Sequence, residues 1–352
     1  MMYIDEMIAL NKMTRSKGIP FSGMVELTPR CNLHCGFCYV CDRNKPYAEP
    51  PEKSSEEWLD LIAQAAEMGL LMLSFTGGDP FMREDFEEIY CKAYDMGLRL
   101  GIFTNAILIG KKQRDWLKKR MPDMISISLY GASEKAYRTV CGGNSNFRRL
   151  KDSLDGLRED GLPYELKALA MLPLAGDYEA MGRLVAEYRC ESKFGAFLSP
   201  GRDDPERYMI DWRVPPDRIP GLFCDFYKAQ KPLTIPVKES TGKPVRGRFF
   251  CVAGKNSFCV TWDGRMLGCP TLYCFATRPF EDGFACAWDN LKAMIGNAEP
   301  CLECEDCAES GDCSACPAIR LKETGSVASC NLYLHEMARC MSVTNQLMEV
   351  LV

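Results

Sequence analysis

Three cysteines within eight residues are the feature that most constrains this chain. Cys31, Cys35 and Cys38 follow a short apolar run, residues 24–27, and the stretch reads Cys-Asn-Leu-His-Cys-Gly-Phe-Cys. Three thiolates spaced in this way can bind three irons of a four-iron cluster, which leaves the remaining iron open to another ligand. A zinc loop is the alternative interpretation, because His34 could supply a fourth zinc ligand.

Composition limits what else the chain can be. Its 352 residues suit one large domain and a smaller one, and the net charge of −5 argues against nucleic-acid and anionic-membrane partners. The sequence has no run of about 18 apolar residues, and residues 1–20 lack the apolar core of a signal peptide. Twenty cysteines in such a chain indicate metal binding in a reducing compartment, the cytoplasm, rather than a disulfide framework.

Strand-like and helix-like segments alternate from residue 24 to about residue 200. The predicted strands are 24–27, 70–76, 99–104, 124–129, 164–172 and 194–198, with helices between them that include 84–95, 111–119 and 178–188. Ser54 and Glu57 form a capping box in front of another predicted helix. This alternation specifies a parallel sheet with right-handed crossovers, and no dinucleotide-binding glycine motif is present. We therefore predict an α/β fold, a partial six-stranded relative of the TIM barrel.

Glycine and polar residues occur where three predicted strands end. They are Gly77, Gly78, Asp79 and Pro80 after the second strand, Thr104 and Asn105 at the end of the third, and Ser128 near the end of the fourth. Because the carboxyl ends of parallel strands share one rim, we expect these residues beside the three-cysteine loop. Taken singly, the glycine motif is an ordinary turn, and Phe37 and Ser128 are ordinary core residues.

A second group of cysteines begins at Cys251. Its members are Cys251, Cys259, Cys269, Cys301, Cys304, Cys307, Cys313, Cys316 and Cys330. The turn sequence at residues 262–265, which contains Gly264, predicts a β-hairpin between Cys259 and Cys269. Thiols in this number could hold iron–sulfur clusters, and a ferredoxin-like run through Cys301 or a zinc site are the alternatives.

The spacing of Cys31, Cys35 and Cys38 resembles the signature of the radical S-adenosylmethionine (SAM) superfamily. The resemblance implies a radical SAM barrel whose 4Fe-4S cluster binds SAM and reductively cleaves it to a 5′-deoxyadenosyl radical. It also implies SAM contacts: Gly77, Gly78, Asp79 and Pro80 for the amino group, Phe37 near the adenine, Ser128 or Ser126 for the ribose, and Asn105 within a Thr-Asn-Gly motif. In this chain Asp79 replaces the family's glutamate, and Ala106 replaces its glycine.

The later cysteines resemble the SPASM domain, an auxiliary-cluster extension found in a subgroup of radical SAM enzymes. The resemblance implies two auxiliary 4Fe-4S clusters, one held by Cys251, Cys259, Cys269 and Cys316, the other by Cys304, Cys307, Cys313 and Cys330. Only two residues separate Cys313 from Cys316, where the SPASM pattern has three. The remaining cysteines are expected to be packing residues: Cys41, Cys91, Cys141, Cys190, Cys224, Cys274, Cys286 and Cys340.

The resemblance also predicts how the chain is divided. The expected parts are an N-terminal extension (1–20), the barrel (21–200), a proline-rich bridging region (201–248), the SPASM domain (249–340) and a C-terminal tail (341–352). The segment from residue 127 to 131, with Asn146 opening a helix after Gly142 and Gly143, looks like the peptide-maturase subgroup.

Enzymes of this type mostly modify peptides or proteins. The first hypothesis is a maturase that oxidises a small ribosomal precursor peptide, for example by a thioether or carbon–carbon crosslink. A related maturase acting on a sulfatase-type residue or a cofactor precursor is the second, and a non-catalytic iron–sulfur or zinc protein the third. An external electron donor such as flavodoxin or ferredoxin is implied. Leader recognition is expected to need a separate leader-binding protein or another surface, because residues 1–20 are too few for a leader-binding domain.

Overall fold

A computed structural model describes residues 2–40, 51–142, 147–198, 201–202, 212–230, 251–311, 313 and 315–351. The strands are β1 (Ser22–Glu26), β2 (Met72–Thr76), β3 (Arg99–Thr104), β4 (Met124–Ser128), β5 (Tyr164–Leu169), β6 (Glu191–Gly195), β7 (Ser257–Val260), β8 (Met266–Leu267) and β9 (Ala276–Thr277). The helices are α1 (Met2–Lys17), α2 (Ser55–Glu67), α3 (Phe86–Asp95), α4 (Lys111–Lys119), α5 (Glu134–Cys141), α6 (Phe147–Glu159), α7 (Tyr178–Tyr188), α8 (Ile219–Lys228), α9 (Pro279–Asp282), α10 (Phe284–Gly296), α11 (Pro317–Thr324) and α12 (Leu332–Leu351).

The nine strands form one sheet in the order β6-β5-β4-β3-β2-β1-β7-β8-β9. Strands β1 to β6 are parallel and adjacent in sequence order, which confirms the predicted α/β architecture of a partial barrel. Strand β7 pairs in parallel with β1, and it places Cys259 opposite Met24. Strands β8 and β9 continue the sheet in antiparallel pairing, as the hairpin prediction requires. The cysteine-rich region therefore extends the sheet of the barrel.

The two faces of the barrel strands differ in chemistry. Residues such as Ile125 and Leu166 are fully buried in the apolar core. Glu165, on the opposite face of β5, is also almost fully buried but belongs to a polar group. Its carboxylate accepts a hydrogen bond from Ser126 Oγ at 2.6 Å and lies 3.2 Å from Lys167 Nζ and 2.6 Å from Lys193 Nζ. This ionic group ties β4, β5 and β6 together on the inner face of the barrel.

The last barrel strand lies earlier in the sequence than predicted. The prediction of 194–198 is wrong, because β6 spans Glu191–Gly195. An apolar run was expected, but β6 begins with polar residues, of which Lys193 pairs with the buried carboxylate of Glu165. The predicted strand 164–172 is also too long, since a 3-10 helix at Leu172–Leu174 with a proline in its first turn follows β5.

One helix, α8, lies in the bridging region, for which no helical periodicity was expected. Its proline, Pro220, falls in the first turn, where the missing N–H has no helical partner to lose. Most of the remaining bridging region, residues 203–211 and 231–248, lies outside the described residues.

The N-terminal segment also forms a helix, and this helix packs against the C-terminal half of the chain. The fully buried Asn256 donates from Nδ2 to Asn11 O at 3.2 Å and to Thr14 Oγ1 at 3.1 Å. Trp288 Nε1 donates to Gly18 O at 2.9 Å. Across the described ranges, no helix combines the length and apolarity needed to cross a membrane.

The capping box at α2 is confirmed, and it gives a test of local stability. Glu57 N–H donates to Ser54 Oγ at 3.2 Å, and Ser54 N–H donates to Glu57 Oε2 at 2.8 Å. We predict that Ser54→Ala lowers the free energy of unfolding by about 1 kcal/mol, measured by chemical denaturation under reducing conditions. Ser55→Ala is the matched control, because that exposed hydroxyl bonds only to the side chain of Glu56. Equal losses in the two variants would contradict the capping role.

Candidate functional site

The three-cysteine loop is joined to the end of the second strand by backbone hydrogen bonds. After β1, Gly78 N–H donates to Thr28 O at 2.7 Å, and Asp79 N–H donates to Arg30 O at 2.9 Å. These bonds place the motif at residues 77–80 directly beside the entrance to the loop of Cys31. The predicted convergence of these two segments on one rim is therefore present.

Two glycines make this close approach possible. Gly77 has a φ of +139°, which a residue with a side chain rarely adopts. A Cβ atom on Gly78 would lie 2.2 Å from Arg30 O and 2.5 Å from Pro29 O, distances that no side chain tolerates. The glycines are therefore required for the backbone of the motif to pack against the loop that precedes Cys31.

The carboxyl group of Asp79 joins the ends of the second and third strands. Its oxygens accept hydrogen bonds from Thr104 Oγ1 at 2.7 Å, Asn105 N–H at 3.0 Å and Phe81 N–H at 3.1 Å. Burial raises the pKa of Asp79 to about 6, although these three donors lower it. Because its oxygens are engaged within the protein, the side chain of Asp79 acts as a brace for the rim.

Asn105 connects this brace to the first cysteine. Its Nδ2 donates to Asn32 Oδ1 at 2.8 Å and lies 3.6 Å from Cys31 Sγ. Leu33 N–H also donates to Cys31 Sγ, at 3.4 Å. Hydrogen bonds to sulfur of this kind stabilise a ligating thiolate and tune its metal. The following residue, Ala106, has a φ of +63°, the left-handed region in which the related motif has glycine.

Aromatic residues form a wall next to the third cysteine. The ring of Phe37 lies 5.4 Å from that of Tyr130 and 5.8 Å from that of Trp212. Ser128, at the end of β4, hydrogen-bonds to Tyr130 and is half-buried. Ser126 is instead committed to Glu165, as described above. Of the two serines considered from the sequence, Ser128 is therefore the one that lies against the aromatic wall.

The donors in the loop fit an iron–sulfur cluster with one open iron. Cys35 is buried, Cys31 and Cys38 are half-buried, and all three are free thiols, the soft donors that such clusters require. His34, considered as a zinc ligand, is exposed to solvent. Within the residues that the structure describes, no group of three or more His, Cys, Asp or Glu side chains forms a site for a metal ion. The fit to a cluster thus depends on the donor type and on the hydrogen bonds to Cys31.

The first predicted auxiliary set lies along the extended sheet. Cys259 is fully buried in β7, and Cys316 is the N-cap residue of α11. Burial raises the pKa of the Cys316 thiol, and the neighbouring thiols of Cys269 and Cys251 raise it further. Burial likewise raises the pKa of Cys259, with a contribution from Cys269. Cys269 is therefore within electrostatic reach of both Cys316 and Cys259, and Cys251 is within reach of Cys316.

The second predicted auxiliary set lines one small cavity of about 20 Å³. Its wall is formed by Cys304, Cys307, Cys313 and Cys330 together with Glu303, Glu309, Leu334, His335 and Ala338. His335 Nδ1 lies 3.7 Å from Cys307 Sγ, and Arg320 Nη1 lies 3.9 Å from Cys304 Sγ. Neither residue was selected from the sequence; the position of His335 five residues after Cys330 was the available signal.

The cysteines outside the predicted cluster sets differ in how deeply they are buried. Cys301 is fully buried. Burial raises the pKa of Cys304 to about 12, and the thiol of Cys301 contributes to this rise. Cys141 and Cys224 are buried, as expected of packing residues. The same expectation is wrong for Cys274 and Cys286, which are exposed. Three positions considered from the sequence lie outside the described residues, namely Cys41, Gly143 and Asn146.

The buried carboxyl of Asp79 gives a prediction with a defined sign. A pKa raised from 3.8 to about 6 means that folding favours the protonated form. The stability that protonated Asp79 contributes is then fully present below pH 4 and is lost as the pH rises through 6. Relative to Asp79→Asn, the free energy of unfolding of the apo parent should fall between these pH values by at most about 3 kcal/mol.

Chemical denaturation of both apo proteins across pH 4 to 7 measures this difference. Asp115→Asn, at a half-exposed position on α4, controls for the loss of one carboxylate. A difference that grows with pH would contradict the prediction, because the three hydrogen bonds to Asp79 would then outweigh its burial.

The sequence is similar to those of known proteins. Residues 25–181 match the family model described as the radical SAM superfamily. A protein of Streptomyces rochei named PqqA peptide cyclase is 24% identical over 346 residues, which cover 89% of this chain and 88% of that protein. A Bradyrhizobium diazoefficiens protein of the same name is 30% identical over 155 residues, 43% of this chain and 40% of that protein.

Two solved structures share the fold over most of the chain. Streptococcus suis SuiB bound to S-adenosylmethionine has a TM-score of 0.67 and 18% identity, covering 90% of this chain and 77% of that one. Native anSMEcpe with bound AdoMet has a TM-score of 0.71 and 15% identity, covering 94% of this chain and 99% of that one. Residues 25–181, which contain the three-cysteine loop and the rim around it, are thus a radical SAM domain, and the two solved structures show that the fold extends over most of the chain.

Proposed function

We propose that this chain reductively cleaves SAM and uses the resulting radical to oxidise a C–H position of a peptide substrate. The observation that carries the proposal is the convergence of the Cys31 loop with Asp79 and Asn105 on one rim of the barrel. When bound, the cluster at Cys31, Cys35 and Cys38 together with SAM supplies a 5′-deoxyadenosyl radical, which takes a hydrogen atom from the substrate.

The residues of the rim have separate tasks in this proposal. The backbone of Gly77, Gly78, Asp79 and Pro80 receives the amino group of SAM, since the carboxyl group of Asp79 is already engaged. Phe37 would contact the adenine, and Ser128 would bind the ribose hydroxyls beside Tyr130. Asn105 holds the loop through Asn32 and donates toward Cys31 Sγ, so that the thiolate keeps its position and charge.

A peptide substrate is supported by the similar proteins. The curated relatives carry the name PqqA peptide cyclase, and solved neighbours include SuiB bound to the precursor peptide SuiA and anSMEcpe bound to the Kp18Cys peptide. We propose that the substrate of this chain is a small ribosomal precursor peptide and that its product carries a thioether or carbon–carbon crosslink. A separate leader-binding protein would present that peptide.

Oxidation of a C–H position requires the removal of two electrons. One leaves with the hydrogen atom, and an acceptor near the barrel must take the second. Cys251, Cys259, Cys269 and Cys316 would hold that acceptor, a 4Fe-4S cluster, at the edge of the shared sheet. Cys304, Cys307, Cys313 and Cys330 would hold the second auxiliary cluster. An external donor such as flavodoxin or ferredoxin would supply the electron for SAM cleavage, in a reducing compartment such as the cytoplasm.

Removal of the first three thiols tests the central reaction. The variant Cys31→Ala/Cys35→Ala/Cys38→Ala should form no 5′-deoxyadenosine when incubated anaerobically with dithionite and SAM, because no cluster can then reduce the sulfonium. Chromatography of the product is the measurement, and Cys286→Ala, which removes an exposed thiol elsewhere, is the matched control. If the triple variant cleaves SAM as the parent does, or if the reconstituted parent does not cleave it at all, the proposal fails.

The auxiliary clusters are tested separately. Replacing Cys259 and Cys316 by alanine should lower the iron content by about four atoms per chain, because one 4Fe-4S cluster can no longer assemble. Formation of 5′-deoxyadenosine should persist, since the loop of Cys31 is unchanged. Iron and sulfide analysis measures the loss, with Cys274→Ala as the control for removal of an exposed thiol. Unchanged iron content would contradict the assignment of this set.

A further inference from the structure

A buried ion pair connects the first barrel strand to the bridging region. Arg202 Nη1 donates to Glu26 Oε2 at 2.9 Å, and Nη2 donates to Glu26 Oε1 at 2.5 Å. The side chains of Arg202 and Glu26 are 1% and 0% exposed. Burial of two charges is costly, and even a well-formed pair often contributes no more stability than apolar residues would. Its position therefore calls for a reason other than stability alone.

The pair lies between the two predicted cluster sites. Arg202 Nε donates to Pro270 O at 3.0 Å, and Pro270 directly follows Cys269. Arg202 N–H donates to Tyr39 O at 3.1 Å, and Tyr39 directly follows Cys38. The guanidinium group also lies 5.6 Å from the centre of the Tyr39 ring. One arginine thus contacts the loop of the SAM site and the loop of the first auxiliary set.

The strand pairing brings the carboxylate close to the same auxiliary set. Met24 of β1 is paired with Cys259 of β7, and Glu26 lies two residues further along the same face of β1. Cys259 is itself fully buried, as are Glu26 and Arg202. Two opposite charges therefore lie near one buried thiol in a region where little water screens them.

Other charged groups around the pair are themselves bonded. Lys322 Nζ donates to Gly201 O at 2.8 Å, which fixes the residue before Arg202. Lys322 belongs to α11, the helix that begins after Cys316. Asp263, in the turn after β7, is paired with Arg265 at 2.8 Å. The charges in this region are thus held in fixed positions, and those of Glu26 and Arg202 are more deeply buried than those of Asp263 and Arg265.

We propose that the Glu26–Arg202 pair sets the reduction potential of the auxiliary cluster at Cys251, Cys259, Cys269 and Cys316. The inference rests on the proposed function, since it requires that cluster. Reduction adds one electron to the cluster, so a nearby anion disfavours the reduced state and a nearby cation favours it. The pair thereby controls how readily the auxiliary site accepts the electron that leaves the substrate. Glu26 and Arg202 are positioning residues in this account.

The test uses neutral variants of each partner in the full, reconstituted chain. Redox titration followed by electron paramagnetic resonance measures the potential, and the signal that disappears in Cys259→Ala identifies the cluster. Glu26→Gln should raise the potential and Arg202→Gln should lower it. Each shift should change the ratio of reduced to oxidised cluster at a fixed potential about tenfold, which corresponds to about 59 mV for one electron. The double variant should return close to the parent value.

Two controls separate charge from structure. Arg202→Lys keeps the positive charge and should keep the potential near that of the parent, although it loses the bidentate contact. Glu323→Gln neutralises the carboxylate of a second, similar pair, in which Arg213 Nη1 donates to Glu323 Oε2 at 3.0 Å. Arg213 also donates to Leu198 O at 3.0 Å, so this pair holds the segment after β6 rather than the loops that follow Cys38 and Cys269, and its loss should leave the potential unchanged.

The possible outcomes distinguish this inference from the proposed function. If Cys259→Ala removes no signal, the auxiliary cluster is absent and the proposed function loses its electron acceptor. If the signal is present but both single variants shift it in the same direction, or shift it not at all, the present inference is overturned. Should Arg202→Gln fail to fold, Glu26→Gln decides alone, because glutamine has the same shape and can still accept from the guanidinium group.

Discussion

The carboxyl group of Asp79 is the contact on which the rim of this barrel depends. This carboxyl group accepts hydrogen bonds from Thr104 and Asn105 at the end of the neighbouring strand. The backbone N–H of Asp79 donates to the loop that precedes Cys31. Asn105 then reaches back to Cys31. A small network of hydrogen bonds therefore holds the ends of three strand–loop units in fixed relative positions. Three thiols can be presented together only because the loop that carries them is fixed in this way.

The second constraint is the continuity of the sheet. Strand β7 pairs with β1, so the cysteine-rich region shares its backbone hydrogen bonds with the barrel. The pair of Glu26 and Arg202 lies at this junction and fixes the bridging region to both halves. A substrate radical formed in the barrel and an electron acceptor in the C-terminal region would thus be held at a constant separation. The proposed reaction, which removes two electrons in sequence, would depend on that fixed separation.

Features that depend on neighbours in sequence could be predicted from the sequence. The capping box at Ser54, the hairpin turn at Gly264 and the parallel order of six strands are all present. Features that depend on distant partners could not be predicted. Glu26 and Arg202 are 176 positions apart, and the polar start of β6 joins the sheet beside the buried carboxylate of Glu165, which pairs with Lys193. The hydrogen bonds that Asp79 accepts from Thr104 and Asn105 could not be predicted either, because sequence spacing does not show which side chains meet at the ends of neighbouring strands.

The central claim is that SAM binds the one iron that the loop of Cys31, Cys35 and Cys38 leaves without a cysteine. Pulsed electron–nuclear double resonance of the reduced protein with SAM carrying a ¹⁵N-labelled amino group measures this contact directly. A ¹⁵N coupling to the cluster signal is predicted for the parent, together with its loss in Cys31→Ala. A reduced cluster assigned to this loop that shows no nitrogen coupling at saturating SAM would contradict the account.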